Sequence, residues 1–424
     1  MKNVNVIGAG LAGAEACNFL LNHGVHVTLF EMRPKKSTGA HQSDLFAELV
    51  CSNSLKNNSL DNACGLLKEE MRMMHSITME SAKKYSVPSG SALSVDRTLF
   101  SRYITEKIRA NPNLSLVIGE VESLPPGVSI IATGPLTSDK MIATIKKIVG
   151  SDKFLSFFDA SAPIVNKISI DFSKVFIDSK FNVGKDYINC PLTRDEYYKF
   201  VSELIHAKLG MIHSFDKEYF EGCMPIEVMA KKGPDTLRFG PLSPIGFTQK
   251  PSPYAVVQLR QDDLIGEMYN IVGFQTNLSF SEQRRVFSLI PGLENADFIR
   301  YGLMHRNFYL RSPAILNPDF SLKADSRVII AGQLSGVEGY VESAATGIIA
   351  GINAYRILSN QKTAIPPIDT MIGALMNYVA NSNPLSFSPM NANYAIYYNK
   401  KRLNRNEIAS FAVESITRWY QENE

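Results

Sequence analysis

Short apolar runs that end in glycine recur along this chain at widely separated places. Val4, Val6 and Ile7 make Asn3–Ile7 a buried-type strand; Gly8, Gly10 and Gly13 follow, and Leu11–Asn22 reads as a helix. Val25–Phe30 then returns to strand character, so the opening thirty residues predict a βαβ unit with a parallel sheet. The pattern comes back at Val128–Thr133, which runs into Gly134 and Pro135, and at Arg327–Ala331, which runs into a glycine series before a long helix. Ligands of open parallel sheets lie beyond the carboxyl ends of the strands, so these three distant turns are expected to converge on one ligand. The unit that binds it is then discontinuous in sequence.

Between about Ser151 and Arg300 the texture changes to denser aromatic and proline content and shorter segments, such as Tyr254–Leu259. This block reads as an inserted second domain. Asn399–Glu424 reads as a helix with a basic start at Lys400, Lys401, Arg402 and Arg405. No internal repeat or low-complexity tract interrupts the chain.

A length of 424 residues suits two or three domains, and 45% apolar with 20% charged residues is a globular balance. A formal charge of +3 permits a nucleic-acid partner without requiring one, because phosphate binding needs a local basic surface. The five cysteines, Cys17, Cys51, Cys64, Cys190 and Cys223, contain no C-x-x-C pair and no histidine at zinc spacing. Neither a metal site nor a disulfide framework is expected, and sparse thiols fit a reducing, cytoplasmic setting. No apolar run reaches the ~18 residues of a membrane span.

Gly8-Ala9-Gly10-Leu11-Ala12-Gly13 matches G-x-G-x-x-G between a strand and a helix, the context that gives this motif its meaning. Gly8 serves the tight turn, Gly10 the approach of a pyrophosphate, and Gly13 the packing of helix on strand. Glu31 closes the second strand where a carboxylate accepts ribose hydroxyls, which disfavours a 2′-phosphorylated nucleotide. Toward the other end, Gly332-Gln333-Leu334-Ser335-Gly336-Val337-Glu338-Gly339-Tyr340 precedes a helix carrying Ser343, Ala344, Gly347 and Gly351. Such a loop suits a flavin ring and its ribityl chain, so a single FAD accounts for both ends. The expected fold is α/β: a Rossmann-like FAD-binding domain from residues 1–150 and 301–424, with an inserted α+β domain at 151–300.

Cys51 lies in Phe46-Ala47-Glu48-Leu49-Val50-Cys51-Ser52-Asn53-Ser54 and Cys223 in Glu221-Gly222-Cys223-Met224-Pro225-Ile226-Glu227. With these runs, Gly65–Arg72, Asp235–Pro241, Val256–Gln261, Asn270–Thr276, Met304–Asn307 and Gly336–Ala345, the chain resembles the folate- and FAD-dependent RNA uracil-5 methyltransferases (TrmFO), relatives of the GidA flavoproteins. The resemblance spans almost the whole length. It implies FAD, 5,10-methylenetetrahydrofolate and NAD(P)H as cofactors, and an RNA substrate, either the tRNA T-loop or 23S rRNA. It also implies that Cys223 adds to uracil C6 and that Cys51 removes the C5 proton or protects the flavin adduct. Tyr340 would stack on the isoalloxazine.

Such chemistry needs a thiolate, which a thiol near pKa ~8.5 supplies only in part at neutral pH. A cation or a helix end beside Cys223 is therefore expected, with Arg238 as the candidate cation. Cys17 is expected to pack against the sheet, and no role is assigned to Cys64, Cys190, His41 or His305. The chain departs from the family pattern at His41-Gln42-Ser43, Phe308-Tyr309 and Tyr394–Tyr397. Two other function classes stay open: a flavin oxidoreductase of a small molecule, which would need neither Cys51 nor Cys223, and a flavoprotein that binds RNA without modifying it.

Overall fold

The apolar runs from the two ends of the chain meet in one parallel sheet. The computed structural model describes residues 3–150, 153–210, 224–398 and 403–424. Its strand order is Val328–Ile330, Val128–Ile131, Asn3–Ile7, His26–Glu31, Leu114–Ile118, and every neighbouring pair is parallel. Val128 to Ile131 and Val328 to Ile330 are buried without a break, as strands covered on both faces must be. His26–Glu31 alternates instead, turning Val27, Leu29 and Glu31 inward.

Helix Leu11–Asn22 crosses helix Tyr340–Leu358 at backbone contact. A Cβ on Gly347 would lie 2.2 Å from the Ala12 carbonyl oxygen, and one on Gly351 would lie 3.2 Å from that of Ala16. Under the first helix, a Cβ on Gly13 would lie 1.9 Å from the Gly8 carbonyl oxygen. The small residues read from the sequence are thus spacers that bring the two ends of the chain together. Cys17 is fully buried on the first helix, within the core around this sheet.

A second, antiparallel sheet has the order Phe176–Asp178, Tyr187–Leu192, Ala255–Gln261, Met268–Ile271, Ile164–Asn166, Phe298–Arg300. Helix Arg194–His206, opened by a capping box between Thr193 and Glu196, lays Tyr197, Phe200, Val201 and Leu204 into its core. That core is separate from the one around the parallel sheet. The chain passes between them along an antiparallel ribbon of Phe154–Ala160 and Met304–Leu310, in which His305 stands opposite Asp159.

The five strand segments read from the sequence are all present, each end within two residues of the expected one. The C-terminal helix differs more: it runs from Arg405 to Asn423 rather than from Asn399, because the Asn404 side chain caps it and Glu407 reaches back to the cap. Lys400, Lys401 and Arg402 lie outside the described residues. A three-stranded antiparallel sheet of Ser54–Asn57, Ala92–Val95 and Ser86–Val87 was not evident in the sequence. Among the described residues, no helix is long and apolar enough to cross a membrane.

The helix crossing gives a stability prediction. Gly347→Val forces a side chain into the Ala12 carbonyl, and overpacking of this kind costs roughly 2–3 kcal/mol. Urea unfolding of the variant is expected to show that loss, whereas an unchanged midpoint would mean that the helices are not in backbone contact.

Candidate functional site

Beyond the carboxyl ends of the parallel strands lies a cavity of about 360 Å³, within the usual range for small-molecule sites. Gly8, Ala9, Gly10, Leu11 and Ala12 form one wall, Glu31 and Gly134 flank it, and Gly332, Gly339 and Tyr340 close the other side. The three glycine turns of the sequence therefore border one space. Gly8 has φ +99°, and a Cβ there would lie 2.6 Å from the Ala132 carbonyl oxygen, so both its conformation and its contact demand glycine. Gly13 and Gly336 are not in the wall. Gly13 packs beneath the turn, and Gly336 faces the Phe387 ring, 2.5 Å from where its Cβ would be.

Two long helices start at this cavity. Helix Leu11–Asn22 begins after Gly10 and helix Tyr340–Leu358 after Gly339, and neither has a side-chain cap. Among the other described helices of more than eight residues, side chains of Asn62, Asp96, Ser138, Thr193, Thr370 and Asn404 cap the N-termini, whereas the shorter helices Ile226–Lys231, Phe280–Phe287 and Ser312–Ile315 also lack a side-chain cap. Uncapped N-termini leave N–H donors and the positive end of the helix dipole facing the cavity, which suits a pyrophosphate and other electron-rich groups.

Glu31 lines the same space, and its carboxylate already accepts the Ala9 N–H at 2.9 Å and the Arg33 N–H and Nε at 3.0 Å each. Burial works against its charge, but Arg33 and these N–H groups hold the carboxyl below the usual range. Arg33 Nη2 adds a longer fourth contact at 3.4 Å, which fills the roughly four acceptor positions of an ionised carboxylate, so a ribose hydroxyl would displace or share this weakest donor.

Cys51 and Tyr340, nearly three hundred residues apart in sequence, are joined directly. The Tyr340 hydroxyl accepts the N–H of Cys51 at 2.7 Å and that of Ser52 at 3.2 Å, while the Cys51 thiol donates to the Ala160 carbonyl at 3.4 Å. Burial first, and then the nearby Asp159, push this thiol up from its ordinary value. Cys223 lies outside the described residues. Arg238 donates from Nε to the Tyr254 carbonyl at 2.8 Å and stacks 4.1 Å over the Tyr254 ring. Cys64 and Cys190 are buried free thiols.

Several cavity residues had no assigned role in the sequence. His305 and Asp159 face each other across the ribbon, 3.7 Å between Nε2 and Oδ2, and Asn307 donates to the same carboxylate oxygen at 3.3 Å. His305 Nδ1 and Asn307 Oδ1 are buried without a hydrogen-bond partner, and both residues line the cavity, as a polar ligand would require. His41 is lowered to about 4, by burial and then by the Arg33 charge, so it is neutral at pH 7. Burial, with Asp159 beside it, raises Glu338 well above the carboxylate range, and Gln333 donates to it at 2.5 Å. The Met304–Asn307 run held His305 and Asn307 in view, but strand register against Asp159 is not readable from one chain.

Fold and cavity together define a Rossmann-type dinucleotide-binding protein whose two chain ends build one site. The family described as "Glucose inhibited division protein A" matches residues 3–362. A curated relative from Ligilactobacillus salivarius, methylenetetrahydrofolate–tRNA-(uracil-5-)-methyltransferase TrmFO, is 52% identical over 93% of this chain and 91% of its own. The TrmFO of Listeria monocytogenes serotype 4b is 49% identical over 99% of each chain. Among solved structures, Aquifex aeolicus GidA superposes with a TM-score of 0.72 at 16% identity, over 99% of this chain and 73% of that one, which shows the shared fold. The chain belongs to the GidA family and, within it, to TrmFO.

Tyr340→Phe leaves the Cys51 and Ser52 N–H groups without their acceptor. A loss of about 1–3 kcal/mol is expected in urea unfolding, the usual cost of stranding a buried donor. A variant as stable as the parent would show that the tyrosine does not hold this loop.

Proposed function

We propose that this protein is a methylenetetrahydrofolate- and FAD-dependent methyltransferase that forms 5-methyluridine in RNA. The observation that carries the reading is the junction of Cys51 and Tyr340 in the wall of a cavity bordered by two uncapped helix N-termini. The names of relatives about half identical over nearly the full length support tRNA as the substrate in preference to 23S rRNA.

The residues present fit FAD. The uncapped N-terminus after Gly10 would take the pyrophosphate, Glu31 the ribose, and the Gly332, Gly339 and Tyr340 side of the cavity the isoalloxazine. When bound and reduced by NAD(P)H, the flavin supplies the methylene drawn from methylenetetrahydrofolate and the hydride that completes the methyl group.

The protein's own share lies with its thiols. Uracil C5 is a weak nucleophile until C6 is saturated, and a thiolate can add there and leave again. In this reading Cys223 forms the S–C6 bond, which puts the displaced electron pair on C5 and O4. Cys51 takes the C5 proton once the new carbon bond is made. Neutral His41 and the high-pKa Glu338 add no charge to the cavity, and the charged Glu31 beside them is paired with Arg33, so fixed dipoles at the buried site act strongly. We take residues 151–300 as the unit that presents Cys223, and with it the RNA, to the flavin.

Cys223→Ala is expected to reduce RNA methylation by at least ~10³-fold while NAD(P)H-dependent reduction of the flavin changes less than about twofold, because the thiol serves only the uracil half of the reaction. Cys51→Ala is expected to separate the two activities in the same direction. Equal loss, or retention of both in the Cys223 variant, would favour a flavin oxidoreductase of a small molecule.

A further inference from the structure

The loop that carries Cys51 is held by three arginines drawn from three separate elements. Arg97, at the start of the helix that runs to Arg109, donates to the Leu49 carbonyl at 2.9 Å. Arg300, on the edge strand of the antiparallel sheet, donates to the Val50 carbonyl at 2.8 Å and the Ala40 carbonyl at 3.1 Å. Arg260, on a central strand of that sheet, donates to Ser52 Oγ at 2.8 Å and Asn53 Oδ1 at 3.0 Å. With Tyr340 on the N–H groups of Cys51 and Ser52, every residue from Leu49 to Asn53 is gripped by a side chain.

This is an expensive way to fasten a loop. Arg97 is paired with Asp262 at 2.6 Å, but among the described residues neither Arg260 nor Arg300 has a carboxylate within 4.0 Å. Arg260 is 7% exposed, and Arg300 Nε is buried without any partner. A buried guanidinium that lacks a counter-charge is costly, and fastening a backbone carbonyl does not require one, since neutral donors do it as well. The charge has a use if an anion forms between these groups. Cys51 is the ionisable residue of the clamped segment: the charges of Arg97, Arg260 and Arg300 favour its thiolate, those of Asp159 and Glu338 oppose it, and the Tyr340 hydroxyl meets its backbone.

We propose that Arg97, Arg260 and Arg300 are positioning residues that fix Cys51 in the cavity wall and supply the counter-charge for its thiolate. Burial and the two acids oppose ionisation of Cys51, and Arg97 and Arg300 oppose them. The inference rests on the reading of Cys51 as the thiol that takes the uracil C5 proton. In that step the C5–H bond breaks, an S–H bond forms, and the electron pair stays with the uracil as an enolate. Cys51 must therefore enter the step as thiolate, having given its own proton to solvent. Two of the three cations come from the antiparallel sheet, so the charge state of a thiol beside the flavin depends on the seating of the inserted unit.

The test reads the thiol directly. FAD-loaded full-length protein and its Arg300→Met and Arg300→Lys variants are treated with iodoacetamide from pH 6 to 10, and alkylation of the Cys51 peptide is followed by mass spectrometry. Loss of the charge is expected to move the alkylation midpoint upward by about one unit, which slows alkylation at pH 8 roughly tenfold, and lysine is expected to restore most of the rate. Mere loosening of the loop has the opposite sign, because it exposes the thiol and speeds alkylation. An unchanged midpoint in Arg300→Met, or faster alkylation, overturns the proposal. If that variant does not retain flavin, the same comparison in Arg260→Gln and Arg260→Lys decides the matter by the same signs. If no variant keeps flavin, a parent midpoint above 10 overturns the proposal and a titration within the range supports it. Loss of methylation in Cys51→Ala with no effect of the arginines on the midpoint would refute this inference while leaving the role of Cys51 intact.

Discussion

The approach of helix Tyr340–Leu358 to helix Leu11–Asn22 is the constraint from which the rest of the structure follows. Glycine at 347 and 351 lets the second helix rest on the carbonyls of Ala12 and Ala16, and glycine at 13 lets the first rest on Gly8. Side chains at these positions would push the helices apart, and with them the two N-termini that open onto the cavity. Because one helix comes from each end of the chain, the stretch between strands Val128–Ile131 and Val328–Ile330 must leave the parallel sheet and return to it. The ribbon of Phe154–Ala160 with Met304–Leu310 is where the chain does both.

That crossing does more than connect. It places Asp159, His305 and Asn307 on the cavity that the glycine turns also line, so groups of the ribbon meet groups of the parallel sheet. In this space Glu338 is held toward its neutral form by burial, His41 is neutral at pH 7, and Glu31 is paired with Arg33. In such a setting a few fixed donors and counter-charges decide which atoms can carry charge during a reaction. The same low dielectric explains why the loop bearing Cys51 needs so many side-chain contacts. Its backbone belongs to neither sheet, so Tyr340, Arg97, Arg260 and Arg300 satisfy groups that a ladder would otherwise satisfy.

Features governed by local physics were legible in the sequence. The strand Asn3–Ile7 and helix Leu11–Asn22 show themselves by apolar runs and glycine, and their limits agree with the structure to the residue. The α/β class, with a parallel sheet drawn from both chain ends, followed from the repeated strand-to-glycine pattern. Features that depend on register or on distant pairing were not legible. The edge strand Leu114–Ile118 alternates weakly, and the short strands around Ser54 and Ala92 carry too few residues for a period to emerge. Gly336 sat in a glycine-rich loop and looked like a ligand contact, but Phe387, fifty residues on, is what it accommodates. Arg260 lay within the Val256–Gln261 run, but the meeting of Arg97, Arg260 and Arg300 was hidden, since nothing in one chain says that three arginines so far apart meet one five-residue loop.

A flavin site built from the two chain ends serves, in this reading, a uracil in RNA. The most direct measurement supplies the purified protein with FAD, NAD(P)H and methylenetetrahydrofolate, offers unmodified tRNA and unmodified ribosomal RNA in separate reactions, and maps 5-methyluridine in each. Product at a single tRNA uridine, absent when folate is omitted, is the predicted result. Product in neither RNA, from protein that holds FAD and oxidises NAD(P)H, would contradict the claim and leave a flavin oxidoreductase as the better description of this fold.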